Sequence, residues 1–209
     1  MHVDTVGRWC SEPLRTADPG DPTWYDLTWY NDEMTLERLR ADVAARRPLD
    51  AREAASIDRF LHGLDTLRDP LSQDVHPTHV TGSAIVVGPR GVLLLKHKRL
   101  GLWLQPGGHV DAGEMPWDAA LREAREETGL DVEFAGPLDA AGIPELIHVD
   151  VHAGGRGHTH LDTRYLVDGG DADPQPPADE SQEIGWFAWP TAIDMADPGV
   201  RTVLRHLAP

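Results

Sequence analysis

Residues 107–130, which read GGHVDAGEMPWDAALREAREETGL, constrain the fold more than any other part of the chain. Pro116 suits the first position of a helix, where a missing N–H costs nothing. Gly129 suits the left-handed position at which helices commonly end. The segment therefore predicts a loop, a helix and a second turn. This helix has an unfavourable feature, because Glu123 and Glu127 form an i,i+4 pair of like charges.

The carboxylates of this predicted helix share one flank. At about 100° per residue, Glu123, Glu126 and Glu127 fall within an arc of about 100°. The last two also lie in the final turn, where the helix dipole disfavours negative charge. Mg²⁺ and Mn²⁺ take oxygen ligands and often keep waters and substrate phosphates. We therefore predict a divalent metal site at these glutamates, the alternative being a solvated acidic face with an Arg122–Glu126 pair.

The rest of the chain predicts helices first and strands later. Residues 1–30 have no clear period and are interpreted as an irregular arm, whereas apolar spacing predicts a helical hairpin over residues 31–69. Short apolar runs bounded by Gly, Pro or Asp then predict strands, at residues 83–88, 91–98, 102–108, 131–136, 144–154, 158–167 and 183–189. A last helix is predicted from about Pro198 to Leu207. Strands interleaved with helices indicate an α/β or α+β domain.

Composition excludes several classes of protein. The net charge of −16 disfavours a nucleic-acid scaffold, because phosphate binding depends on Lys and Arg. No apolar run approaches the roughly 18 residues that cross a bilayer, and the N-terminus lacks the pattern of a signal peptide. The single cysteine, Cys10, excludes an intramolecular disulfide. We therefore expect a cytoplasmic protein without a membrane segment.

The segment at 107–130 fits the pattern G-x5-E-x7-R-E-U-x-E-E-x-G-U, where U is apolar, and it resembles the Nudix box. Every fixed position is filled, and the least typical is Ala124, a small residue at an apolar position. The match runs through Gly108, Glu114, Arg122, Glu123, Ala124, Glu126, Glu127, Gly129 and Leu130. The strand pattern of residues 79–190 is also similar to that of the Nudix domain.

The resemblance implies an α/β/α sandwich around a mixed sheet, with residues 79–209 as the Nudix hydrolase domain. Residues 1–78 would form an N-terminal extension that contains the arm and the helical hairpin. It also implies that Glu123, Glu126 and Glu127 bind Mg²⁺, with Mn²⁺ as a substitute, against a diphosphate.

The resemblance further implies roles for the other residues of the box. Arg122 would pair with Glu114 to hold the loop against the helix, and Gly108 would permit a tight turn. The expected general base is Glu126, Glu127 or an acid on a late loop, namely Glu180 or Glu183.

A basic run precedes the box. Lys96 and Lys98 are the only lysines of the chain, and Arg99 follows them. We predict that these three residues bind the substrate's phosphates, with a solvated strand face as the alternative.

Two further predicted strands carry alternating histidines and acids. His148, Asp150 and His152 alternate on the first strand. The second strand carries His158, His160, Asp162 and Arg164. A symmetric turn at residues 154–157 would pair His152 with His158, Asp150 with His160, and His148 with Asp162. We predict that His160, Asp162 and Arg164 line the substrate pocket, the alternative being the solvent face of a hairpin with cross-strand ion pairs. The sequence leaves open whether these strands hold a further metal ion.

Three functions follow from the resemblance. The first is a Mg²⁺-dependent hydrolase that cleaves the diphosphate linkage of a small nucleotide-type substrate. The second is an isomerase of isoprenoid diphosphates, against which the position of Cys10 in the arm counts, because that branch uses a cysteine in the pocket. The third is a non-catalytic nucleotide sensor, against which the complete box counts. The helical extension makes a homodimer reasonable, and the sequence does not identify the substrate.

Overall fold

The computed structural model describes residues 36–209, so the predicted arm, including Cys10, lies outside the described residues. Residues 36–45 are helical and are called α1. The other helices are α2 (Ala51–Thr66), α3 (Pro116–Thr128), α4 (Trp189–Met195) and α5 (Pro198–Leu207). The strands are β1 (Thr78–Gly88), β2 (Gly91–Lys96), β3 (Trp103–Leu104), β4 (Gly107–His109), β5 (Glu133–Phe134), β6 (Leu146–Ala153), β7 (Thr159–Asp168) and β8 (Ile184–Phe187).

The strands form one mixed sheet. Its main order is β3-β2-β1-β7-β5, with β4 beside β1, β6 beside β7 and β8 beside β2. The long central strands β1 and β7 are parallel, and the other pairs are antiparallel. The first two strands form a hairpin, in which Gly88 lies opposite Gly91.

Helices cover both faces of this sheet. Val80, Ala84 and Val86 of β1 belong to a hydrophobic cluster that also contains buried residues of α1, α2 and α3. Ile85, which points the other way on the same strand, belongs to a second cluster with residues of α4 and α5. The predicted α/β/α sandwich around a mixed sheet is therefore confirmed.

The helix α3 packs directly on the central strand β1. A Cβ atom at Gly82 would overlap the carbonyl oxygen of Pro116, so only glycine allows this approach of the two backbones. This contact fixes the height of α3, and with it the height of the glutamates, above the sheet.

The structure corrects two of the predicted strands. The run at residues 102–108 is divided into Trp103–Leu104, which pairs with β2, and Gly107–His109, which pairs with β1. The run at residues 183–189 is a strand only over Ile184–Phe187. Pro190 then lies in the first turn of α4, where a proline is favourable. The apolar residues after Phe187 therefore belong to a helix, which the period-2 interpretation missed.

The N-terminal helical hairpin packs against the sheet. Glu37–Pro209 form one compact unit, within which α2 packs mainly against β6. The division at residue 78, the homodimer and the cytoplasmic location stay predictions. Within the described residues, the structure contains no helix with both the length and the apolar character that a bilayer crossing requires.

Candidate active site

The segment at 107–130 folds as a strand, a loop, a helix and a turn. The N–H of Met115 donates to the Asp118 carboxylate at 3.3 Å, which satisfies a backbone donor before the first turn of α3. Gly129 has a φ of 68°, and its N–H donates to the carbonyl of Arg125 at 2.8 Å. Both predicted ends of the helix are therefore confirmed.

Arg122 ties the loop to the helix. Its guanidinium donates to both carboxylate oxygens of Glu114, at 2.9 and 3.1 Å, and to the carbonyl of His109 at 2.9 Å. It also donates at 3.0 Å to Glu123 and to Glu126. The ion pair between Arg122 and Glu114 that the resemblance implies is thus present, and the same side chain holds two of the glutamates.

The three glutamates of α3 differ in exposure. The side chain of Glu126 is 57% exposed, whereas that of Glu123 is 19% exposed. The carboxylate of Glu127 accepts a hydrogen bond from the N–H of Gly107 at 2.9 Å. A Cβ atom at Gly108 would overlap the Glu123 carboxylate. The two glycines of β4 therefore give the backbone close access to the acidic cluster.

Burial makes the ionised form of this cluster unfavourable. It raises the pKa of Glu127 to about 8, and the charges of Glu123, Glu180 and Glu126 act in the same direction. Burial also raises the pKa of Glu123, against the effect of Arg122. Several carboxylates that repel one another in a partly buried place are stabilised by a cation.

The donor set fits a divalent metal ion. It consists of carboxylate oxygens, which Mg²⁺ and Mn²⁺ prefer. The absence of a side chain at Gly108 lets the Glu123 carboxylate lie against β4. Arg122 neutralises only part of the charge, because it also binds Glu114.

A pocket of about 300 Å³ opens beside the glutamates. It is lined by Gly107, Gly108 and Glu127 on one side and by the polar residues of β6 and β7 on another. Arg99 also lines it, and its guanidinium lies against Gly155. The exposed side chains of Leu100 and Leu102 form part of its rim.

The floor of this pocket is a buried hydrogen-bonded network. Asp162 accepts from Thr81 at 2.9 Å, from Ser83 at 2.8 Å and from Arg164 at 3.0 Å. Arg164 also binds Asp150 and the carbonyl of Gly199, and its side chain is only 2% exposed. The two predicted pocket residues Asp162 and Arg164 therefore lie in the pocket wall, with partners inside the protein.

Arg52 completes this network from α2. It binds both oxygens of Asp150, at 2.9 and 3.0 Å. Burial alone would raise the pKa of Asp150, but the nearby ring of His152, hydrogen bonds from Arg52 and the charge of Arg164 hold it well below its usual value. Asp150 is therefore a buried carboxylate that remains ionised.

The predicted pairing of these strands was wrong by two residues. His152 lies opposite His160, Asp150 opposite Asp162, and His148 opposite Arg164. The reason is the turn, which is a 3-10 helix at Gly155–Gly157 closed by a hydrogen bond from the N–H of Gly154 to the carbonyl of His158. The shift is even, so each side chain keeps the face that the alternation predicts.

The lysines lie apart from this pocket. Lys96 forms an ion pair with Glu183 at 2.9 Å, and Lys98 donates to the carbonyl of Asp179. Glu180 belongs to the same loop, and its charge raises the pKa of Glu123 and Glu127. The structure therefore brings Glu180 near the glutamates of α3, and it brings Arg99 but neither lysine to the pocket.

Several residues of the site were not singled out in the sequence. His79, Thr81 and Ser83 alternate along β1, which could have revealed a polar face at its start. Arg52 has no such signal, because it reaches Asp150 across 98 positions of the chain.

His148, next to the pocket floor, makes stability depend on pH. It is 2% exposed, and burial together with the charge of Arg164 lowers its pKa to about 3. The other charged groups around it are Asp150, Arg46, Asp50 and Glu53. An unfolded histidine takes up a proton below about pH 6.5, whereas this one stays neutral. The free energy of unfolding is therefore expected to fall between about pH 6.5 and pH 3, by up to about 1.4 kcal/mol per unit.

The substitution His148→Gln should reduce this dependence, as measured by urea unfolding at about pH 7 and pH 5. The exposed His62 offers a matched control, because His62→Gln should leave the dependence unchanged. An equal loss of stability in the wild type and in His148→Gln would contradict the assignment.

The comparisons with known proteins agree with this geometry. The NUDIX domain model matches residues 77–207. A protein of Lactococcus lactis subsp. cremoris named "Probable DHNTP pyrophosphohydrolase" is 30% identical over 102 residues, which cover 49% of this chain and 59% of that protein. The "RNA pyrophosphohydrolase" of Agrobacterium fabrum is 31% identical over 96 residues, which cover 42% and 56%. The chain thus spans little more than half the length of these two relatives.

A solved structure extends the match to the fold. A NUDIX-family hydrolase from Clostridium perfringens is 28% identical, with a TM-score of 0.51 over 61% of this chain and 92% of that one. Because the family model matches more than half of the chain, this protein belongs to the Nudix family. The resemblance stated from the sequence is confirmed, and the predicted hydrolase class agrees with the names of the relatives. The roles of individual site residues stay predictions.

Proposed function

We propose that the protein is a Mg²⁺-dependent hydrolase that cleaves the diphosphate linkage of a nucleotide-type substrate. The observation that carries this proposal is the acidic cluster, in which Glu123 and Glu127 have raised pKa values beside a pocket. Such a cluster favours a bound cation, and Nudix hydrolases generally use divalent metal ions. The relatives named as pyrophosphohydrolases support the same reaction class.

The residues of the acidic cluster have different roles in the proposed reaction. When bound, Mg²⁺ would neutralise charge on the diphosphate and orient the attacking water. Glu123, Glu126 and Glu127 would hold the ion, and Mn²⁺ should replace it. Arg122 would keep two of these carboxylates at a fixed distance from the loop, through its bonds to Glu114.

The general base would be one of three carboxylates, Glu126, Glu127 or Glu180. Glu180 lies on the loop that Lys96 and Lys98 bind. We therefore propose that the two lysines hold this loop rather than the phosphates. Of the three residues of the basic run, Arg99 lines the pocket, and we assign the phosphates to it.

The pocket floor would recognise the rest of the substrate. His160 lines the pocket and is partly exposed, so it can contact a ligand. Asp162 and Arg164 would act through the shape and charge of the floor, because their polar atoms already have partners.

A panel of substrates would test this function. It would contain dinucleoside polyphosphates, sugar nucleotides, ADP-ribose and modified nucleoside triphosphates, each with Mg²⁺, with Mn²⁺ or with a chelator. We expect metal-dependent cleavage of a phosphoric anhydride, detected by chromatography of the nucleotide products. Metal-independent turnover, or no turnover of any member, would contradict the proposal. Tight binding without turnover would indicate a sensor, and isomerisation of an added isoprenoid diphosphate would indicate the other reaction class.

A further inference from the structure

Four histidines converge at the beginning of the two central strands. They are His79 on β1, His109 at the end of β4, His158 before β7 and His160 on β7. The ring centroid of His79 lies 5.0, 5.1 and 5.3 Å from those of the other three. One ring nitrogen from each residue can be chosen so that all four lie within 4.8 Å of one another.

Two of these rings have nitrogens that lack a partner. His79 is fully buried, and neither its Nε2 nor the buried Nε2 of His109 has a hydrogen-bond partner among the described residues. A buried polar atom in a protein normally has such a partner, because leaving it without one costs free energy. A bound ligand would give these two nitrogens the partner that they lack.

The tautomer of His79 also suits a metal ion. Its Nδ1 lies 3.1 Å from the carbonyl of His76, which can only accept a hydrogen bond, so Nδ1 carries the proton. The Nε2 atom then has a free lone pair. Histidines that bind metals usually donate their other ring N–H to a carbonyl or a carboxylate in this way.

We propose that His79, His109, His158 and His160 bind one Zn²⁺ ion, at a site separate from the glutamates of α3. Zinc is favoured because imidazole nitrogens suit it, whereas Mg²⁺ takes oxygen ligands. Tetrahedral zinc with Zn–N distances of about 2.0–2.1 Å needs nitrogens about 3.3 Å apart. The nitrogens therefore need to come closer by about 1 Å or more. His79 is buried, so this movement would come from rotation of the partly exposed side chains of the other three histidines.

The two metal sites have no ligand in common. Successive residues of β4 point to opposite faces. Gly108 faces the Glu123 carboxylate, whereas His109 lies opposite Thr81, whose side chain belongs to the pocket floor. A zinc ion would therefore join β1, β4 and β7 without using a glutamate of the box.

The ion would have a structural consequence for the active site. β4 is only three residues long, and its Gly107 holds Glu127. Fixing His109 to the central strands would hold this short strand, and with it the glycines, against the acidic cluster. In this assignment His160 holds the ion instead of contacting the substrate directly. The proposal does not depend on which substrate the pocket accepts.

Zinc binding by the full chain would test the proposal directly. After gel filtration with zinc, we expect about one tightly bound ion per chain by elemental analysis. We expect the same in Glu126→Gln/Glu127→Gln, because the ion does not use these residues. X-ray absorption at the zinc edge should show three or four imidazole nitrogens. An oxygen-dominated first shell, or no retained zinc, would overturn the proposal without any histidine variant.

Histidine variants would then locate the site. His158→Ala and His109→Ala should each weaken zinc binding by roughly 100-fold or more, beyond the 10–100-fold that loss of an outer partner causes. The exposed His62 supplies the matched control, because His62→Ala should bind zinc as the wild type does. If His158→Ala and His109→Ala both bound zinc with the wild-type affinity, the assignment would be overturned. If a variant fails to fold, the X-ray absorption measurement on the wild type still tests the proposal. If the wild type bound zinc but hydrolysed no member of the substrate panel, that result would count against the proposed function alone.

Discussion

Replacing Glu127 with glutamine is expected to lower the Mg²⁺-dependent kcat by about 10²–10³-fold, the range seen when one group that stabilises the transition state is removed. The glutamine has nearly the same size, but it cannot supply the charge that a cation needs. Its effect on stability should be small, because burial already favours the neutral form of Glu127 in the metal-free protein. Steady-state kinetics over a range of Mg²⁺ concentrations would measure the loss and any increase in the metal requirement.

The exposed Glu133 on β5 provides the control for this change. Glu133→Gln removes the same charge at a place outside the pocket, so kcat should remain at the wild-type value. If Glu127→Gln turned over substrate as the wild type does at every metal concentration, Glu127 would be neither a metal ligand nor the base.

Replacing Arg164 with methionine is expected to destabilise the protein by about 3–5 kcal/mol, the cost of leaving a buried charge without its partner. The side chains of Arg164, Asp162 and Asp150 are each at most 2% exposed. Methionine occupies a similar volume but donates no hydrogen bond to either carboxylate. Urea unfolding would measure the change, provided that the midpoint shifts without a change in slope.

A second substitution would separate the lost charge from the lost packing. Asp150 keeps its ion pair with Arg52. Adding Asp162→Asn to Arg164→Met removes the carboxylate that has lost its ion pair, so part of the stability should return. The exposed pair of Arg40 and Asp65 provides the contrast, because Arg40→Met should cost far less stability than Arg164→Met. Equal costs at Arg164 and Arg40 would show that the buried network does not stabilise the fold.

Local spacing was enough to predict the glutamate helix. Pro116 and Gly129 mark its ends through backbone chemistry alone, and a helical period places Glu123, Glu126 and Glu127 on one flank. Alternation likewise predicted which side chains of β6 and β7 share a face, because that depends only on the parity of the positions.

Pairings over long distances in the sequence could not be predicted in this way. The position of His160 opposite His152 depends on the conformation of a glycine-rich turn. The contact between Arg52 and Asp150 depends on how α2 packs on the sheet. The histidine cluster depends on the parallel pairing of β1 and β7, which brings His79 beside His160 and which no local pattern specifies.

The rim and the floor of the pocket differ in how freely they can change during evolution. Leu100 and Leu102 are 51% and 41% exposed, and substitutions at exposed positions usually alter stability by no more than about 0.5 kcal/mol. Floor residues such as Arg164 support the fold as well as the pocket. A lineage could therefore exchange one preferred substrate for another by altering these two leucines, while the floor and the acidic cluster remain as they are.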